Sequence, residues 1–155
     1  MRLRFGITAL VLALSFFAKF WLLSILNWSP DLVLAALLTA AFFVDFREYA
    51  VLLLASLWFM NWQPGLHPEI VWLGLLLSVA FFAHYYSPWQ SWLSNAVFTL
   101  AVLAAFYGLL DLELLRTPGF WLNVGSTAIY GAVTFFFLQQ FVGRPSRSRQ
   151  PAARP

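Results

Sequence analysis

A lysine stands among phenylalanines, a tryptophan and leucines in SFFAKFWLLS, residues 15–24. Its ammonium could snorkel to a membrane surface, form an ion pair inside a helix bundle, or anchor a ligand. The carboxylates that could answer it are Asp31, Asp45, Glu48, Glu69, Asp111 and Glu113. The remaining chemistry-bearing residues are scattered. His67 and Glu69 would make a two-ligand metal pair on an exposed loop, which falls short of the ligand count of a metal site. His84 belongs to the opposite end of a helix, so the two histidines do not share a site. The chain has no HExxH, no Gly-rich phosphate loop and no nucleophile with a base beside it. It has no cysteine, which excludes disulfides and thiolate metal sites. The residues point to a protein that is not an enzyme, with no metal and no cofactor.

The elements that must position these groups follow from composition. Of 155 residues, 62% are hydrophobic and 10% charged, and the mean hydropathy is +0.79. Globular domains average ~45–50% apolar and ~25% charged, so so few charges could not cover a water-facing surface. The expected class is all-α: a polytopic membrane protein of about six transmembrane helices. Residues 5–26 make the first apolar run. It is too long for the apolar stretch of a signal peptide, is interrupted by Lys19, and is not followed by a small-residue cleavage site, so it reads as a retained helix. Asn27-Trp28-Ser29-Pro30-Asp31 is a turn, with Pro30 suited to open the next helix. The runs 31–44 and 49–62 are short and are split by DFRE at 45–48. They are expected to cross as a tilted hairpin rather than to lie in the membrane plane. NWQPGLHPE (61–69) is a loop, followed by runs over 70–86, 93–115 and 119–142. Residues 1–142 thus form one bundle, and the basic tail 143–155 is expected to be disordered.

Charge sets the orientation. Arg2, Arg4, Arg47, Arg144, Arg147, Arg149 and Arg154 fall on the side of the termini, and Arg116 alone on the other. The positive-inside rule makes both termini cytoplasmic. Trp28, Trp62, Trp89, Trp92 and Trp121 fall at the ends of runs, as an aromatic belt requires. Lys19 then lies about 12 Å below the outer end of the first helix, at 1.5 Å per residue. Asp111 is expected at a similar depth in the fifth helix and is the first choice as its partner, ahead of Asp31 and Glu113 nearer the surface. Such a pair would chiefly fix which helices pack together, because desolvation cancels much of its Coulomb gain. The outer side, with Arg116 as its one basic residue besides Lys19, suits neither a lipid pyrophosphate nor a glycosyl donor.

Small residues four apart let helices approach closely in lipid. Ala9 with Ala13, Ala36 with Ala40, and Thr127/Gly131 with Ala128/Ala132 make such pairs, read mainly as internal packing. The arginine tail would meet anionic lipid or enforce topology. With no aromatic residue interleaved, it is not a nucleic-acid binder.

Pro30-Asp31-Leu32 opening the second helix, an apolar hairpin, and Gly65-Leu66-His67 before the fourth helix together resemble the rod-shape-determining protein MreD family. The resemblance covers roughly residues 28–110 and extends to chain length, a short third helix and the absence of a catalytic motif. It departs in the third helix, where VLLLASLWFMNW has no glycine and Asn61 stands near the place of an aspartate. Lys19 is also outside the family pattern. The resemblance implies a non-enzymatic scaffold subunit of the bacterial cell-elongation machinery, in the cytoplasmic membrane, docking MreC and peptidoglycan synthases. The chain also resembles, in size, helix number and the Ala9/Ala13 pair, the substrate-binding subunits of energy-coupling-factor vitamin transporters. That resemblance implies an outward-facing ligand pocket lined by Lys19, Asp111, Asn123 and the 61–69 loop.

Overall fold

The structure, a computed structural model, describes residues 2–26, 30–61, 68–86, 92–110, 113 and 116–143. Among these there are six helices and no strand: α1 (Arg2–Leu26), α2 (Leu32–Ala40), α3 (Phe46–Met60), α4 (Pro68–Tyr86), α5 (Trp92–Leu110) and α6 (Pro118–Val142). The all-helical expectation holds. Three helices carry stretches long and apolar enough to cross a membrane: Leu3–Ile25 in α1, Trp92–Leu109 in α5 and Pro118–Val142 in α6. That is fewer than the six expected. The tail beyond Gly143 lies outside the described residues, as do Trp28, Trp62 and Trp89. Trp92 and Trp121 sit exposed near helix starts.

The difference arises in the second, third and fourth runs; of α4, only the shorter apolar stretch Pro68–Ala83 stands out. α2 has nine residues, and at 1.5 Å per residue covers ~13 Å of a hydrocarbon core of ~30 Å. Every residue of α2 is buried, and so are Ala41, Phe42, Phe43 and Val44 in the turn after it. A helix apolar on all sides belongs inside a bundle rather than at its lipid face. α2 packs mainly against α1 and α6, with α3, α4 and α5 closing the remaining sides. Its first residue follows Asp31, beside Lys19 of α1. Beyond its last residue, Phe42 and Phe43 reach Ile7 and Val11 of α1 and Phe135 and Leu138 of α6.

α3 then runs back. Asp45 and Glu48 form a capping box that opens it, with the Asp45 N–H donating to Glu48 Oε2 at 3.3 Å. Phe46 meets Phe81 and Phe82 late in α4, whereas Phe59 at the far end meets Phe16 of α1, ring centroids 5.9 Å apart. The pair α2–α3 is therefore a helical hairpin whose turn lies near the level of Ile7, toward the start of α1. Tyr49 fixes α3 to α4. Its ring stacks on Phe81 with centroids 4.6 Å apart, and its hydroxyl donates to the Leu77 carbonyl oxygen at 3.3 Å. Tyr49→Phe keeps the stack and removes one hydrogen bond, so a loss of about 0.6 kcal/mol is expected, the mean for side-chain bonds in membrane bundles. Thermal unfolding in detergent reads it.

α6 starts and stops on recognisable signals. Thr117 is its N-cap, the Phe120 N–H donates to the Thr117 side chain, and Pro118 takes the first helical position. At the other end Gly143 adopts φ +88°, a backbone state that a side chain would strain, and its N–H donates to the Gln139 carbonyl oxygen.

Candidate functional site

Two polar groupings lie inside this apolar bundle, one at each end of α2. The upper one is built on Asp31, the residue before the first turn of α2. Its carboxylate makes no cap to its own helix. It turns instead toward α1 and α5: Lys19 Nζ lies 3.3 Å from Oδ1, and the Tyr107 hydroxyl donates to Oδ2. The Asp31 backbone N–H donates to Thr127 Oγ1 of α6 at 3.0 Å, and that hydroxyl donates onward to the Asn123 carbonyl oxygen at 2.8 Å. One residue thus ties together α1, α2, α5 and α6. Lys19 and Asp31 keep only 24% and 19% of their side-chain surface exposed, so the pair is largely withdrawn from water. Partly buried pairs of this kind hold geometry more than they add net stability.

A cavity of about 160 Å³ opens beside this cluster, lined by Asp31, Tyr107, Thr117, Asn123 and Thr127 with an apolar wall of Leu103, Phe120 and Val124. At about 30 Å³ per water it has room for about five waters. Pockets for drug-sized ligands run to ~300–1,000 Å³. Among the described residues no three His, Cys, Asp or Glu side chains converge.

The lower grouping joins α2, α5 and α6. Asn95 of α5 is fully buried. Its Nδ2 donates to Thr39 Oγ1 at 3.0 Å and to the Gly131 carbonyl oxygen at 3.1 Å. The Thr39 hydroxyl donates to the Ala35 carbonyl oxygen at 2.8 Å and also reaches the Gly131 carbonyl oxygen at 3.3 Å. Gly131 packs α6 on α2 and α5: a Cβ there would stand 3.6 Å from Ala35 Cβ, at ordinary van der Waals distance. Between the two groupings the Ser15 and Tyr130 hydroxyls bond at 2.8 Å, joining α1 to α6.

The residues singled out from sequence fare differently. Lys19 does face protein and does find a carboxylate, but in the described residues that carboxylate is Asp31, which depth counting had ranked below Asp111. Asp111 itself lies outside the described residues, as does His67. Asn123 lines the cavity next to Asp31. Ala36, Ala40 and Gly131 are buried at packing faces. The first small-residue pair is split, since Ala9 packs on the core while Ala13 is exposed. Tyr107, Thr39, Asn95 and Thr99 were missed. A signal existed for two of them: Asn95 and Thr99 are polar residues four apart within an apolar run, hence on one helix face.

No family model, no curated protein and no solved structure matches the chain. The arrangement must therefore be read from its own chemistry. A lysine, a phenol and a threonine hydroxyl, all bonded to Asp31 across four helices, make a structural clasp.

Proposed function

We propose that this chain is a non-enzymatic scaffold subunit of the cell-elongation machinery in the bacterial cytoplasmic membrane, docking an MreC-like protein and peptidoglycan synthases. The observation that carries this reading is the closure of the Asp31 cluster on itself. Its ammonium, carboxylate and phenol are used to bind helices to each other, which leaves the apolar outer faces of the bundle as its working surface. Leu54 and Trp58 of α3 and Ile129, Val133 and Phe136 of α6 are exposed examples. In this reading α2 and α3 complete a six-helix, multi-pass topology with their turn near the inner surface. The exposed Arg47 beside that turn agrees with cytoplasmic termini under the positive-inside rule.

A second reading rests on the cavity. Asn123 and Asp31, the latter bonded to Lys19, rim the same outward-lying space, as a substrate-binding subunit of a vitamin transporter would need. Its volume of about 160 Å³ is roughly half the lower bound for such ligands, and this favours the scaffold. Gentle detergent purification of the tagged protein from its native membrane, followed by mass spectrometry of what accompanies it, separates the two. Recovery of MreC-like and elongation-synthase proteins supports the scaffold. Recovery of paired ATPase subunits, or of a bound vitamin-sized molecule, overturns it.

A further inference from the structure

We infer that the seam between α2, α5 and α6 binds one water molecule, held between the side chains of Asn95 and Thr99 beside Gly131. Both residues are fully buried. Asn95 Oδ1 and Thr99 Oγ1 each lack a hydrogen-bond partner, although buried polar atoms are paired in the large majority of cases. A flipped amide does not cure this. The Asn95 group 3.1 Å from the Gly131 carbonyl oxygen must be the donor, because a carbonyl only accepts. Oδ1 is therefore fixed as an acceptor in need of a donor. Thr99, one turn further along the same face, offers a hydroxyl that needs a partner too.

Gly131 supplies the room. A methyl-sized group on its Cα would lie 3.6 Å from Asn95 Nδ2, Thr99 Oγ1 and Ala35 Cβ alike. A water there stands beyond the Cβ position, at van der Waals contact with the Gly131 Cα and at the ordinary O–H···O distance of about 2.8 Å from the Thr99 hydroxyl. Water suits the two orphaned atoms, since it donates to Oδ1 and accepts from the Thr99 hydroxyl. A bare cation suits them poorly. The hydrogens of Asn95 Nδ2 border the same notch, and no carboxylate is among the residues of the seam to offset its charge. The site is separate from the Asp31 cavity and does not depend on the scaffold reading.

Water-edited solid-state NMR of the full-length, isotope-labelled protein in phosphatidylcholine bilayers tests this. Polarisation from water should reach the Asn95 side-chain carbonyl and the Thr99 Cβ several-fold faster than it reaches Leu37 and Leu38, which are equally buried. Build-up no faster than at those leucines overturns the site. Gly131→Ala places its methyl in the notch with contacts of ordinary van der Waals length, so the fold is retained. Its fast transfer to Thr99 should be lost. Unchanged transfer in that variant means that the water does not sit beside Gly131, and the assignment fails.

Discussion

Asp31→Ala is expected to lower the unfolding free energy by about 3 kcal/mol, the lower end of the range for breaking a buried ion pair. The substitution strands the Lys19 ammonium inside the helix bundle and leaves the Tyr107 hydroxyl without its acceptor. The lower end applies because Lys19 keeps 24% of its side-chain surface exposed, so its head group can partly reach water. Replacing both partners by apolar residues, Lys19→Met with Asp31→Leu, should cost clearly less than Asp31→Ala, because no charge is then left uncompensated. The measurement is unfolding in mixed micelles followed by the fluorescence of the eight tryptophans. Strict additivity in the Lys19→Met and Asp31→Leu cycle would show that the two side chains do not interact.

Gly131→Leu should cost as much, about 3 kcal/mol or more, by overpacking. The Cβ alone fits, but the isopropyl group beyond it would enter space already held by Ala35, Asn95 and Thr99. α6 would have to move off α2 and α5, which breaks the bonds from Asn95 and Thr39 to the Gly131 carbonyl oxygen. Gly131→Ala makes the control. Crosslinking between cysteines introduced in α5 and α6 would report the separation directly. A leucine variant that retains wild-type stability and crosslinking would exclude close packing at this point.

Much of the architecture was legible in the chain because lipid imposes blunt rules. Few charges and long apolar runs dictate helices, and Thr117-Pro118 announces the start of α6. The length of α2 was not legible. Residues 31–44 are apolar almost throughout, and a segment buried on every side has no amphipathic period to mark where helix gives way to turn. Lys19 was recognisable as a buried charge in search of a carboxylate, but its partner was not. Counting residues along helices assumes that each connection stays at the surface, whereas Asp31 lies level with Lys19. Tyr107 carried no sequence signal either, since a tyrosine in an apolar run is ordinary at a membrane interface.

The full enclosure of α2 also bears on how the protein is made. Thr39 finds Asn95 and the Gly131 carbonyl only when the chain has grown by a further 92 residues; Asp31 likewise awaits Tyr107 and Thr127. At ~5–20 residues per second, that interval lasts roughly 5–18 s on the ribosome. During it α2 emerges as an apolar segment too short to span and with its polar groups unanswered. It needs shelter at the insertion machinery until α5 and α6 arrive, so the last third of the chain acts as the lock on the first.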